Sequence, residues 1–107
     1  MPSEKYTTQR VSDEYMTLNN CGEGILDAHD YDTLRQDGRV DFGLQFIESG
    51  RCTFEDDGVV RTATSGSVLL HFPGVRQHYS FKKEDGTHLM WAHFSGVGCQ
   101  LLDNIRS

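Results

Sequence analysis

No stretch of this 107-residue chain is apolar for long enough to cross a bilayer, and the N-terminus, MPSEKYTTQR, lacks the continuous apolar run of about 7–15 residues that a secretory signal needs. A cytoplasmic protein without membrane contact is expected. Cysteine is scarce and unpaired: Cys21, Cys52 and Cys99 are odd in number and form no CxxC motif, so buried free thiols are expected in place of a disulfide or zinc site. Basic charge is also short. Ten Lys and Arg stand against sixteen Asp and Glu, a formal charge of −6, and the cations are scattered where a phosphate-binding surface needs them clustered. DNA contact by this chain itself is not expected.

What is present is punctuation. Ser49-Gly50, Asp57-Gly58, Ser65-Gly66 and Pro73-Gly74 recur every eight residues, and Asp85-Gly86 follows after twelve. Each can end a strand, because glycine accepts the positive φ of tight hairpins. The segments between them are rich in Phe, Val, Leu, Tyr and Thr, and Val40, Phe42, Leu44 and Phe46 alternate with smaller or polar residues. The chain is long enough for one domain, so an all-β fold follows, a barrel, jelly roll or sandwich of short antiparallel strands. Earlier in the chain, strands are expected at 15–19 and 24–29, a loop at 30–35, and a flexible arm over residues 1–14. At the other end, Val97, Leu101 and Ile105 share one side of a short helix with Ser95 as its N-cap. That helix stops in mid-pattern at Ser107, as a fragment of a longer chain would.

The stretch Gly66-x6-Pro73-Gly74-x3-His78 resembles the second motif of the cupins, whose double-stranded β-helix barrels often hold a metal. A metal needs several convergent nitrogen and oxygen donors. By that resemblance the first-motif ligand slots fall on Leu44, Phe46 and Arg51, which cannot ligate, and the last slot falls on His78 or Gln77 according to where the count begins. No two histidines have HxH or HxxxH spacing. Neither a metal nor any other cofactor is expected, and no catalytic residue stands out.

A barrel without a metal still has a mouth suited to a small molecule. Alternation groups Gln77 with Tyr79 and Phe81, leaves His78 on the opposite face, and groups Leu89 with Trp91 and His93. Three longer stretches then carry a closer resemblance: Gly38 to Phe54 (GRVDFGLQFIESGRCTF), Ser65 to Tyr79 (SGSVLLHFPGVRQHY) and Leu89 to Gly96 (LMWAHFSG). Together they resemble the N-terminal effector domain of AraC-type transcriptional regulators, over roughly residues 18–105.

That resemblance implies a cupin-like, effector-binding barrel over 15–96, followed at 97–107 by the start of a dimerisation or linker helix. DNA would be contacted only through helix-turn-helix units missing from this chain, and a homodimer is the implied assembly. The effector would be a carbohydrate or similar polar metabolite. Carried over from the arabinose-responsive member, Arg35 corresponds to a loop arginine that hydrogen-bonds the sugar, Tyr79 to a pocket tyrosine, and Trp91 to the tryptophan under the sugar ring. Gln77 and His93 join them by alternation. A pocket histidine there corresponds to Leu89 here, so arabinose itself is not implied. Two other readings stand beside this one: a small cupin enzyme, such as a sugar isomerase, epimerase or metal-dependent oxygenase, and an interaction module whose barrel is filled by its own side chains.

Overall fold

The computed structural model describes residues 5–7, 11–12 and 15–102. Ten antiparallel strands among them form two sheets. The first contains β1 (Lys5–Thr7), β2 (Val11–Ser12), β3 (Thr17–Leu26), β5 (Phe42–Ser49), β8 (Val68–His71) and β10 (Thr87–Ser95), ordered β1-β3-β10-β5-β8 with β2 also on β3. The second is β4 (Tyr31–Arg35), β9 (Gln77–Phe81), β6 (Arg51–Asp56) and β7 (Val59–Thr64), ordered β4-β9-β6-β7. The expected all-β architecture is the one observed.

The sheets close on each other at one end through six buried apolar residues, three from each. Leu26, Ile47 and Leu89 come from the first sheet, and Cys52, Ala63 and Phe81 from the second. A second cluster, Phe42, Phe72 and Cys99, packs with Phe94 and Leu102, and the Phe42 and Phe94 rings stack at 5.7 Å. Cys52 and Cys99 are thus buried free thiols, while Cys21 is free and half-buried. Burial pushes the Cys52 thiol up to about 12, so it stays protonated.

All five turn glycines take positive φ. Asp57 and Gly58 both do so, at 53° and 81°, the signature of a two-residue hairpin turn whose twist matches its strands. At Gly50 space matters too, since a Cβ there would lie 2.6 Å from the Thr87 Cα.

Several expected elements differ. The strands expected at 15–19 and 24–29 fall on one continuous strand, β3, because every residue from Thr17 to Leu26 except Asn19, at a register shift, finds a partner on β10. The loop expected at 30–35 is β4, paired residue for residue with β9 from Tyr31↔Phe81 to Arg35↔Gln77. Its acidic flanks hide a period of two: Tyr31, Thr33 and Arg35 are half-buried, while Asp32 and Leu34 are exposed. At the C-terminal end Val97–Leu102 is a 3₁₀ helix. Its packing residues are Cys99 and Leu102, three apart as that geometry dictates, and Val97 is exposed. Ser95 ends β10 and accepts a hydrogen bond from Asn19 Nδ2. Of the arm at 1–14, residues 5–7 and 11–12 pair with β3; its remainder, and Ile105, lie outside the described residues. No described helix is long and apolar enough to cross a membrane.

One buried hydroxyl ties β10 to β6. Thr87 Oγ donates to the Arg51 carbonyl at 2.8 Å and accepts from the Arg51 amide at 3.0 Å. Thr87→Val keeps the shape and leaves both groups unsatisfied, so urea unfolding should show a loss of about 1–3 kcal/mol. Thr62→Val, exposed on β7, should change stability by no more than about 0.5 kcal/mol.

Candidate functional site

Beside the first apolar cluster, whose Leu26, Phe81 and Leu89 also line it, the sheets stand apart around a cavity of about 220 Å³. Strand register explains its walls. On the first sheet, His71, Gly43, His93 and Asn20 form one inward row across β8, β5, β10 and β3, and Leu69, Gln45, Trp91 and Gly22 form the next. Glycine at 43 leaves the room between the two histidines, since a Cβ there would lie 3.2 Å from the His93 ring. On the second sheet, Tyr31, Thr33 and Arg35 of β4 face inward beside Phe81, Tyr79 and Gln77 of β9.

All five residues singled out in the sequence, Arg35, Gln77, Tyr79, Trp91 and His93, line this cavity. Arg35 does so from the end of a strand and not from a loop. Its Nη1 donates to Gln77 Oε1 at 3.1 Å and to the Tyr79 hydroxyl at 3.0 Å. Gln77 is 4% exposed, and its Nε2 is a buried donor without a partner. His93 bonds Asn20 Oδ1 through Nδ1 at 2.7 Å.

The ambiguity between Gln77 and His78 resolves by face. Gln77 points into the cavity, whereas His78 lies on the outer surface, bonded to Glu55 at 2.6 Å and Asp32 at 3.2 Å. Arg51, in the glutamate slot of the cupin pattern, has a side chain 61% exposed near Asp85. Among the described residues no group of three His, Cys, Asp or Glu side chains is placed to hold a metal ion.

Sequence reasoning missed Gln45, His71 and Arg39. The apolar alternation of Val40, Phe42, Leu44 and Phe46 marks the wrong inward set on β5: Gln45 and Ile47 are buried, Leu44 and Phe46 half-buried, and Val40 is 97% exposed. His71 bonds Gln45 Oε1 through Nε2 at 2.8 Å. Arg39 donates to Asp41 at 2.7 Å, and Asp41 also accepts from Asn19.

Protonation follows from this packing. Burial, reinforced by the nearby Arg35 charge, pushes His71 down to about 4. His93 is lowered by burial and then by Arg39, against an opposing pull from Asp41. Both rings are therefore neutral at pH 7; each donates its single N–H to an amide oxygen, Gln45 Oε1 or Asn20 Oδ1, and keeps its other nitrogen as an acceptor. Burial acts to raise the Asp41 carboxyl, but hydrogen bonds from Arg39 and Asn19 outweigh it and hold the group below the ordinary carboxylate value. The wall can thus bind hydroxyls through neutral groups and an oxygen-rich or anionic group through Arg35, with apolar ring surface supplied by Trp91 and Tyr31.

Residues 21–98 match a family described as the AraC-like ligand binding domain. No curated protein matches the sequence. Solved structures share the fold at low identity. A Cupin 2 conserved barrel domain protein from Salinispora arenicola aligns with TM-score 0.58 and 15% identity, over 99% of this chain and 85% of that one. A Thermotoga maritima protein named a predicted oxalate decarboxylase aligns with TM-score 0.56 and 14% identity, over 84% and 92%. An HTH_3 family transcriptional regulator from Vibrio cholerae aligns with TM-score 0.51 and 11% identity, over 73% of this chain and 49% of that one.

The depressed histidine has a measurable consequence. Unfolded, His71 takes up its proton near pH 6.5; folded, only near 4. The unfolded state therefore binds more protons between these values, and stability should fall as pH drops through that window, by up to about 3 kcal/mol. His93 contributes with the same sign, while the loss from Asp41 comes lower, as pH falls through its own depressed value. Urea unfolding at stepped pH should show this limb in the wild type and a flatter one in His71→Gln.

Proposed function

This chain belongs to the family of AraC-like ligand binding domains, and from that premise we propose that it is the effector-sensing part of a transcriptional regulator whose ligand is a small, hydroxylated ring of the carbohydrate kind. The observation that carries the reading is the two-sided cavity: an indole on one sheet, and a guanidinium, an amide and a phenol on the other. A sugar presents both an apolar ring face and a belt of hydroxyls, and these walls match the two. The ring would lie against Trp91 with its hydroxyls toward Arg35, Gln77 and Tyr79. At about 220 Å³ the space is smaller than the roughly 300–1,000 Å³ of drug-sized sites, which favours a single ring.

Such a ligand would act by preference. Bridging both sheets, it would favour whichever arrangement of the barrel and its attached segments holds the walls at this spacing, and its leverage equals its difference in affinity between arrangements. DNA binding is assigned to helix-turn-helix units outside this chain, in keeping with a charge of −6. The rival is a cupin enzyme, which the likeness to the Thermotoga protein keeps in view, although that likeness speaks for the fold alone.

Thermal unfolding against neutral sugars, sugar acids and divalent cations tests both. A ligand at 100 times its Kd should stabilise by about 2.7 kcal/mol. Stabilisation by a sugar or sugar acid and by no cation supports the sensor, stabilisation by a cation alone supports the enzyme, and a panel without response counts against an accessible sugar site. Trp91→Ala should lose the response and cost about 3 kcal/mol of stability; undiminished affinity in the folded variant would remove the indole from the site. A gel-shift titration at physiological salt should show no duplex DNA binding by this chain.

A further inference from the structure

The charge inside the cavity is opposite to the charge of the chain. Sixteen acidic residues against ten basic give −6 overall, yet among the described residues the cavity is lined by two arginines, two histidines and no carboxylate. Arg39 is neutralised, since Asp41 accepts from it at 2.7 Å. Arg35 is not: the acceptors it reaches among the described residues, Gln77 Oε1 and the Tyr79 hydroxyl, are both uncharged. Both lie on Nη1, so Nη2 and Nε keep their donors for something else.

The amide of Gln77 adds a second, independent sign. Its oxygen is taken by Arg35, which fixes which way the amide faces and leaves Nε2 as a donor in a residue only 4% exposed, with no acceptor. A buried donor of this kind is destabilising unless something accepts from it. Cation and orphan donor are linked through one hydrogen bond on adjacent strands, and an anionic oxygen pair satisfies both at once.

We infer that the effector carries a carboxylate, bound by Arg35 and Gln77 Nε2, with its ring against Trp91, so that the cavity takes a single-ring sugar acid in preference to the neutral sugar. This rests on the sensing role proposed above and narrows its ligand class. Neutral His71 and His93 then serve the ring hydroxyls without competing for the anion.

Trp91 is the only tryptophan, so its fluorescence reports on this cavity without a label. Quenching of the full chain by iodide, caesium and acrylamide is compared at matched, low ionic strength. The net charge of −6 alone would favour caesium. Iodide is instead expected to quench several-fold more strongly, and Arg35→Gln to bring iodide down to the caesium level with acrylamide unchanged. Arg35→Lys should keep the iodide preference while weakening carboxylate protection, because lysine lacks the fork. Galacturonate or glucuronate should shield Trp91 from acrylamide at concentrations where galactose and glucose do not. Caesium quenching as strongly as iodide, or neutral sugars shielding as well as their acids, overturns the carboxylate and leaves the sensing role standing. Failure of both acids to shield overturns it as well, while the sensing role is judged separately by the thermal panel.

Discussion

Burying a guanidinium inside a β-sandwich is costly unless its donors find oxygens, and the open half of this molecule is arranged around that demand. Arg35 sits at the end of β4, beside Gln77 in register, and reaches the amide of that residue and the phenol of Tyr79. Those contacts line up three polar groups along one wall. The opposite wall answers with His71 on Gln45 and His93 on Asn20. Each of these bonds is made within one sheet, so polar side chains, and not interlocking apolar ones, face the gap here.

The cavity and the core nevertheless share residues. Leu26, Phe81 and Leu89 belong to the buried cluster and also line the open space, while Tyr79 and Trp91 pack against that cluster from above. A molecule filling the cavity therefore rests on the same side chains that hold the sheets together. Close-packed interiors transmit strain poorly absorbed elsewhere. Leu26, one of these shared side chains, lies on β3, the strand on which β1 and β2 pair.

The architecture was largely readable from turn dipeptides, because glycine at each strand end is a local steric requirement that owes little to the rest of the fold. Arg35, Tyr79 and Trp91 were singled out by the family resemblance, and period two, which holds on β9 and β10 across these positions, grouped Gln77 with Tyr79 and His93 with Trp91 as the cavity lining does. The misses lie where tertiary context decides. Asp30, Asp32 and Asp37 give β4 the composition of a loop, yet β9 supplies it with a full ladder of partners. On β5 the apolar residues at 42, 44 and 46 suggest one inward face, whereas the inward row opposite Trp91 and Leu89 is Gln45 and Ile47. Hydrophobicity alone reverses the assignment when a cavity wants a polar residue inside. At the C-terminal end an apolar spacing of four suggested an α-helix, and the 3₁₀ turn uses a spacing of three to set Cys99 and Leu102 against Phe42 and Phe72.

The distribution of charge ties these observations together. Acidic residues crowd the outer surface of the second sheet, where His78 bridges Glu55 and Asp32 and Arg76 holds Glu55 at 2.7 Å. That surface largely settles its own charges. One strand pitch inward the balance inverts, because alternation sends Gln77 in and His78 out, and Arg35 in and Leu34 out. A guanidinium within a low-dielectric wall exerts its field mainly on what enters the cavity, since solvent there is limited and the outer carboxylates are screened. The same field helps to keep His71 neutral. On this sheet an acidic outer face and a cationic inner wall thus arise from one structural rule, the two-residue period of β4 and β9.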